Sequence, residues 1–150
     1  MKLQTTNFGS IEIEESSALE FPEGLPGFEH CRRFAALESS GAVGLIFLQS
    51  LEQPQLCFVT VPLGAFWPDY KIAIPAEEKE LLGFDYSGPM AEGDLTMLAI
   101  LSFVEGKEPT ANLGAPVLVH VRTRRAIQLV RQDGRFTVRE PLPEGETVCS

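Results

Sequence analysis

Residues 95–104, Leu-Thr-Met-Leu-Ala-Ile-Leu-Ser-Phe-Val, are the stretch that decides the fold class of this chain. They contain no charged residue, and their apolar side chains show no helical periodicity. A charge-free, mostly apolar run of this length, without a helical stripe, favours a buried strand over a helix. We therefore expect a long buried strand here.

Shorter strands are predicted on both sides of this run. A turn of sequence Asn-Phe-Gly separates residues 2–6 from residues 10–14, which predicts a hairpin. Residues 45–49 and 56–61 are nearly continuously apolar, as expected of strands that are buried on both faces or line a closed barrel. Further strands are predicted at 18–21, 34–37, 117–122 and 127–131, with a short edge strand at 136–139.

One stretch, residues 76–83, favours a helix. Pro75 precedes it, Glu77 and Glu78 lie in its first turns, and Gly83 ends it, an order that suits the helix dipole and the helix stop. A helix of about two turns is hardly stable alone and must dock on the body of the protein. Together these elements predict an all-β, small β-barrel-like single domain over residues 1–140, with one short helix and a disordered tail over 141–150.

Composition and charge exclude several classes of protein. With 150 residues, of which 44% are hydrophobic, the chain can fold around one core without a disulfide or a metal. Its 21 acidic residues against 12 Lys and Arg give a net charge of −9, which repels phosphate and attracts basic proteins. We therefore expect no direct binding of nucleic acid.

The cysteines and the apolar runs indicate where in the cell the protein is located. Cys31, Cys57 and Cys149 have no spacing typical of a disulfide framework or a zinc site, and reduced thiols suit the cytosol. We expect Cys57 to be a core residue. The start of the chain lacks the apolar region of a signal peptide, and no run is long enough for a spanning helix. These features predict a cytoplasmic protein that does not enter the membrane.

The sequence offers little for catalysis. His30 and His120 lack the neighbours that a nucleophile or a metal site needs, and His120 is expected to be structural or exposed. Glu77 and Glu78 are adjacent on the predicted helix, so they cannot face one substrate. We therefore expect no enzyme, no cofactor and no metal.

Charge and aromatic residues are distributed unevenly. Residues 1–30 carry six acids and one cation, whereas 121–140 carry six arginines and two acids. These segments either neutralise each other across the sheet, or the acidic one faces a basic partner. Phe66, Trp67, Asp69 and Tyr70 cluster around a proline. Their aromatic rings either plug the end of the barrel or, together with Glu77 and Glu78, form part of a surface that binds a partner.

Several motifs, in order along the chain, resemble one known family. Residues 21–29, Phe-Pro-Glu-Gly-Leu-Pro-Gly-Phe-Glu, are similar to the signature of the flagellar assembly factor FliW family, whose turn residues here are Pro22, Gly24, Pro26 and Gly27. The aromatic-Pro-Asp-Tyr element at 66–70 also resembles that family. So does Thr-Ala-Asn-Leu-Gly-Ala-Pro at 110–116, which contains Asn112 and Pro116. From its residue type alone, Asn112 is expected to bond to the backbone in a turn.

The resemblance implies a function as well as a β-barrel. A member of this family binds flagellin in the cytoplasm and, when free, binds and antagonises the RNA-binding translational regulator CsrA, which relieves repression of flagellin mRNA. It implies no catalysis and no cofactor, and we expect a monomer. The alternative is a small-molecule-binding or hydrolytic β-barrel with a pocket near residues 66–70. A deep cavity with converging polar groups would favour that alternative.

Overall fold

The computed structural model describes residues 2–38, 44–84 and 93–143, and within them most of the chain is β-structure. The strands are β1 (Lys2–Thr5), β2 (Gly9–Glu12), β3 (Leu19–Glu20), β4 (Arg33–Glu38), β5 (Ile46–Ser50), β6 (Cys57–Pro62), β7 (Leu95–Ser102), β8 (Thr110–Ala111), β9 (Val117–His120), β10 (Arg125–Gln128) and β11 (Glu140–Pro141). The helices are α1 (Leu63–Phe66) and α2 (Ala76–Leu82), with a 3-10 turn at Glu15–Ser17.

Seven strands close into a barrel in the order β7-β6-β5-β4-β3-β10-β9, and β9 pairs back onto β7. The first half of β7 pairs antiparallel with β9, from Leu95 opposite His120 to Leu98 opposite Val117. Residues 98–100 of β7 pair antiparallel with β6, and residues 101–102 pair antiparallel with β8. The length of β7 therefore allows it to close the barrel, and the expected barrel is confirmed. The expected long strand ends at Ser102, so that Phe103 and Val104, the last two residues predicted for it, lie outside the strand and are exposed.

Apolar residues fill both the barrel and the layers outside it. The interior cluster includes Phe21, Phe34, Leu48 and Leu98, all nearly inaccessible to solvent. Alternate residues of β7 point outward, where Ala99 and Leu101 join a second cluster with Tyr70 and Leu113. A third cluster lies under α2 and is formed by Leu82, Leu118, Ile127 and Leu129. Strands β7 and β9 are thus buried on both faces, which explains their continuous apolar sequences.

The residues of the 21–29 motif form a tight turn beside the barrel. Gly24 has a φ of +70°, and a Cβ there would lie 2.6 Å from the backbone Cα of Glu29. The backbone N–H of Gly27 donates to the Glu29 carboxylate at 2.7 Å. Leu25 is buried and pairs with Phe28 in an isolated bridge. The motif is therefore a turn whose backbone approaches itself too closely for any other residue at position 24.

Most predicted elements are confirmed, with shifts of a few residues. The β1–β2 hairpin and the short helix lie where they were expected, and α1 is an additional single turn. The edge strand predicted at 136–139 is wrong. That segment is a loop in which the Thr137 carbonyl accepts from the Leu113 and Gly114 amides, and the edge strand is β11, opposite Ala111.

The start of the predicted tail and the Cys57 thiol both differ from what the sequence predicts. Pro141 pairs with Thr110 in β8, and Leu142 packs against the second cluster, so these two residues of the predicted tail contact the outer layer of the fold. The remainder of the predicted tail, 144–150 with Cys149, lies outside the described residues. Cys57 is only half-buried, and this burial raises the pKa of its thiol.

Candidate partner-binding surface

Tyr70 fixes the segment that follows α1 to the body of the protein. Only 7% of its surface is exposed, and its hydroxyl donates to the Leu113 carbonyl at 2.7 Å. Its ring packs against Phe136 with 4.8 Å between ring centroids. Burial raises the pKa of Tyr70. Tyr70 was predicted to contact a partner, but its ring and hydroxyl are both used inside the fold, so we assign it a structural role.

Arg131 holds the neighbouring strand end against the same aromatic pair. Its guanidinium lies 5.0 Å from the ring centroids of both Tyr70 and Phe136. It donates to the Lys71 carbonyl at 2.6 Å and, through Nε and Nη2, to both carboxylate oxygens of Asp133 at 3.1 and 2.6 Å. The hydrogen bonds from Arg131 are the main cause that lowers the pKa of Asp133 to about 2. Stacking on Tyr70 and the hydrogen bond to Lys71 thus join two loop segments, and the bidentate ion pair with Asp133 holds the guanidinium in place.

An open groove lies between these two segments, and we call it the apolar groove. It has a volume of about 260 Å³. Its walls are residues 71–75, which run extended towards α2, and residues 129–133, which follow β10. Val130 is 53% exposed. The lining residues are Ile72, Ala73, Pro75, Leu129, Val130, Arg131, Gln132 and Asp133.

The predicted aromatic residues lie immediately before the apolar groove in the chain. Phe66 and Trp67 are half-buried, pack against the second cluster and have ring centroids 6.0 Å apart. Asp69 is exposed. Trp67 therefore covers the core with part of its ring and keeps the other part exposed.

The predicted acidic residues lie at the start of α2, beyond Pro75. Glu77 is exposed, as expected for a helix start. Glu78 is half-buried, and its Oε2 is buried without a hydrogen-bond partner among the described residues. Pro75 lines the apolar groove and is the N-cap residue of α2, so both glutamates follow one wall of the groove directly in the chain.

The 110–116 motif supports the groove from below. Asn112 Oδ1 accepts from the Ala115 amide at 2.9 Å, which confirms its predicted turn. The buried Pro116 offers its carbonyl to the Leu129 amide at 3.0 Å. The motif therefore positions one wall of the apolar groove.

The sequence did not reveal Arg131 and Asp133 as residues of this site, since Arg131 was counted with a basic segment. The sequence did contain a clue: Arg131 and Asp133 are two residues apart and a glycine follows, a spacing that allows the two side chains to form a bidentate ion pair within a turn.

The predicted neutralisation between 1–30 and 121–140 holds only in part. Glu20 lies opposite Arg125, but the ion pairs found among the described residues of the basic segment join Arg122 to Asp94 and Arg131 to Asp133.

The charged groups of this surface are either paired or exposed. Arg131 is paired with Asp133 and donates to the Lys71 carbonyl, and Asp69 faces solvent. Within residues 2–38, 44–84 and 93–143, no three His, Cys, Asp or Glu side chains are placed to hold a metal ion. His120 is buried beneath α2 with Nδ1 2.9 Å from the Leu82 carbonyl, so it is structural, as expected. No described helix is long and apolar enough to span a membrane.

Comparison with known proteins identifies the family. The model of the FliW protein family matches residues 2–142. This chain belongs to the FliW family. A flagellar assembly factor FliW from Syntrophotalea carbinolica is 35% identical over 138 residues, covering 92% of this chain and 95% of that protein. The FliW of Leptospira interrogans serogroup Icterohaemorrhagiae is 34% identical and covers 99% of this chain.

A solved structure supports the same assignment at the level of the fold. The crystal structure of a flagellar assembly factor FliW superposes with a TM-score of 0.85 at 28% identity, over 97% of this chain and all of that one. The similarity is therefore not confined to the 21–29, 66–70 and 110–116 motifs but covers the whole barrel. This chain is a flagellar assembly factor of the FliW family.

Proposed function

We propose that this protein is a non-catalytic cytoplasmic binding protein that binds flagellin and, when free, binds and antagonises CsrA, so that flagellin mRNA is translated. The match to the FliW family over residues 2–142 carries this proposal. On this proposal the protein acts as a monomer, without a cofactor, and itself binds neither RNA nor membrane.

The apolar groove and its surroundings support binding as the mode of action. Trp67 and Val130 present apolar surface, while Asp69 and Glu77 supply carboxylates beside it. An apolar centre with a charged rim is the usual form of a protein interface, and tryptophan is enriched among residues that dominate binding energy. We assign at least one partner to this surface, which Phe66 and Glu78 complete.

A Trp67→Ala substitution tests the assignment. We expect affinity for flagellin or for CsrA to fall by about 2 kcal/mol, the amount typical of a dominant interface residue. Stability should fall by less than the roughly 3–5 kcal/mol of a fully buried tryptophan, because the ring is only half-buried. Calorimetric titration and thermal melting measure the two effects.

Phe103→Ala is the matched control, because Phe103 is 53% exposed and lies outside the apolar groove. It should leave both affinities unchanged. A Trp67→Ala protein that melts far below the parent, yet binds both partners normally while folded, would show that Trp67 only plugs the core.

A further inference from the structure

A second cavity, at the other end of β10 from the apolar groove, has the opposite character. We call it the arginine cavity. It has a volume of about 490 Å³ and lies between the 3-10 turn, β3, the start of β4 and the β9–β10 loop. Its charged lining consists of Arg33, Arg122, Arg124, Arg125, Glu15 and Glu20. Four of the 12 cations of an acidic chain therefore converge on one concave surface.

The arginines of this cavity are only partly engaged. Arg33 Nη2 lies 3.9 Å from Glu15 Oε1, and both side chains are largely exposed. Arg122 is paired with Asp94 at 3.1 Å. Arg124 and Arg125 are exposed and make no ion pair with any residue that the structure describes. Two guanidinium groups thus remain available to a ligand.

The backbone beneath these two arginines is held by the barrel. The Arg124 carbonyl accepts from the Glu20 amide at 2.7 Å, and its own amide donates to the His120 carbonyl at 2.9 Å. Arg125 sits in register with Glu20 on one side and His120 on the other. The barrel therefore fixes the backbone positions from which both arginine side chains extend.

We infer that the arginine cavity binds a carboxylate-rich peptide segment of a protein partner. The planar guanidinium matches a carboxylate in a bidentate geometry, and several arginines can engage successive acidic side chains. The two glutamates on the rim and the net charge of −9 oppose any long polyanion, a nucleic acid included, so the acidic segment that binds must be short enough to stay within the cavity. The cavity shares no lining residue with the apolar groove, so this site is additional to the proposed function.

Fluorescence anisotropy with a labelled oligoglutamate peptide at low salt tests this inference. We expect saturable binding that an Arg124→Gln/Arg125→Gln double variant weakens by about tenfold, the sum of two exposed charge pairs. The matched control is Arg135→Gln/Arg139→Gln, which removes the same charge from exposed arginines of the same segment outside the cavity. The control should bind as tightly as the parent.

A Glu15→Gln/Glu20→Gln variant provides an independent measurement, because loss of the rim carboxylates should tighten binding of the same peptide. Equal weakening by the two arginine variants, unchanged affinity after loss of the rim carboxylates, or no saturable binding would overturn the inference. The inference would also be overturned if a single-stranded RNA oligomer with the same net charge as the oligoglutamate peptide bound more tightly than that peptide. None of these assays contains flagellin or CsrA, so their outcome is independent of the proposed function.

Discussion

At the scale of single residues, Tyr70 shows how one side chain organises the candidate surface. Its hydroxyl donates to the Leu113 carbonyl in a buried position, and its ring lies under Arg131. Replacement of Tyr70 by Phe keeps the ring and leaves the carbonyl without this donor. We expect a loss of about 1–2 kcal/mol in the free energy of unfolding, measured by urea denaturation. A variant as stable as the parent would contradict this role for the hydroxyl.

Asp133 makes stability depend on pH. Arg131 lowers the pKa of Asp133 to about 2 in the folded protein, below the value of about 4 for an unfolded chain. The ion pair therefore adds to the free energy of unfolding above about pH 4. This stabilisation is lost as the pH falls towards 2, because Asp133 takes up a proton at a higher pH in the unfolded chain than in the folded protein. Urea denaturation at several pH values should show this loss in the parent and a smaller one in Asp133→Asn. Identical pH profiles would contradict the coupling.

At the scale of elements, the 21–29 turn supplies a matched pair of glycines. Gly24 and Gly27 both have positive φ, but only at Gly24 would a Cβ meet backbone atoms, 2.6 Å away. Gly27→Ala should cost about 1 kcal/mol for the left-handed backbone. Gly24→Ala carries the same cost and should lose roughly 1–3 kcal/mol more through overpacking. Thermal melting of the two variants compares them, and equal losses would mean that the turn relaxes around the added methyl.

The elements that were predicted well are those with a distinctive composition or a clear start and stop. β7 is free of charge and mostly apolar, and α2 lies between a proline and a glycine. The edge strand β11 could not be predicted. Its two residues include Pro141, and it exists only because β8 lies beside it. Pairing with a distant partner is a tertiary effect that local sequence does not encode.

The exposed residues of the candidate site could be predicted from the sequence, but the residues that hold them in place could not. Trp67 and Asp69 were recognised from their local clustering. The role of Arg131 was not, because it depends on Tyr70 and Lys71, which are about sixty residues away in the chain. The arginine cavity likewise forms only where β3 meets β10 in parallel, a contact that the hairpin patterns did not predict.

At the scale of the whole molecule, fully buried side chains such as Phe21 and Phe34 occupy the interior of the barrel. The two cavities described above lie on its outside. The segments that cover the outside, α2 and residues 63–75, are the ones that line the apolar groove or lie beside it. The apolar groove therefore lies in the cover of the barrel, whereas the arginine cavity lies against the barrel strands β3, β4 and β10.

The net charge of −9 leads to a prediction about the whole molecule and CsrA. An RNA-binding partner is expected to be basic, so opposite charges should accelerate its encounter with this protein. Because exposed charges are screened over about 8 Å at physiological salt, the association rate should fall as salt is raised. Stopped-flow measurement of the association rate over a salt series tests this dependence.

Two charge variants show whether the steering is local. Asp69→Asn/Glu77→Gln removes two exposed carboxylates beside the apolar groove, and Glu105→Gln/Glu108→Gln removes two exposed carboxylates from the turn after β7. Both variants change the net charge equally. If CsrA docks at the groove, the first variant should slow association more and flatten its salt dependence, while dissociation changes little. Equal effects would place the steering in the overall charge, and a rate independent of both salt and substitution would exclude electrostatic steering altogether.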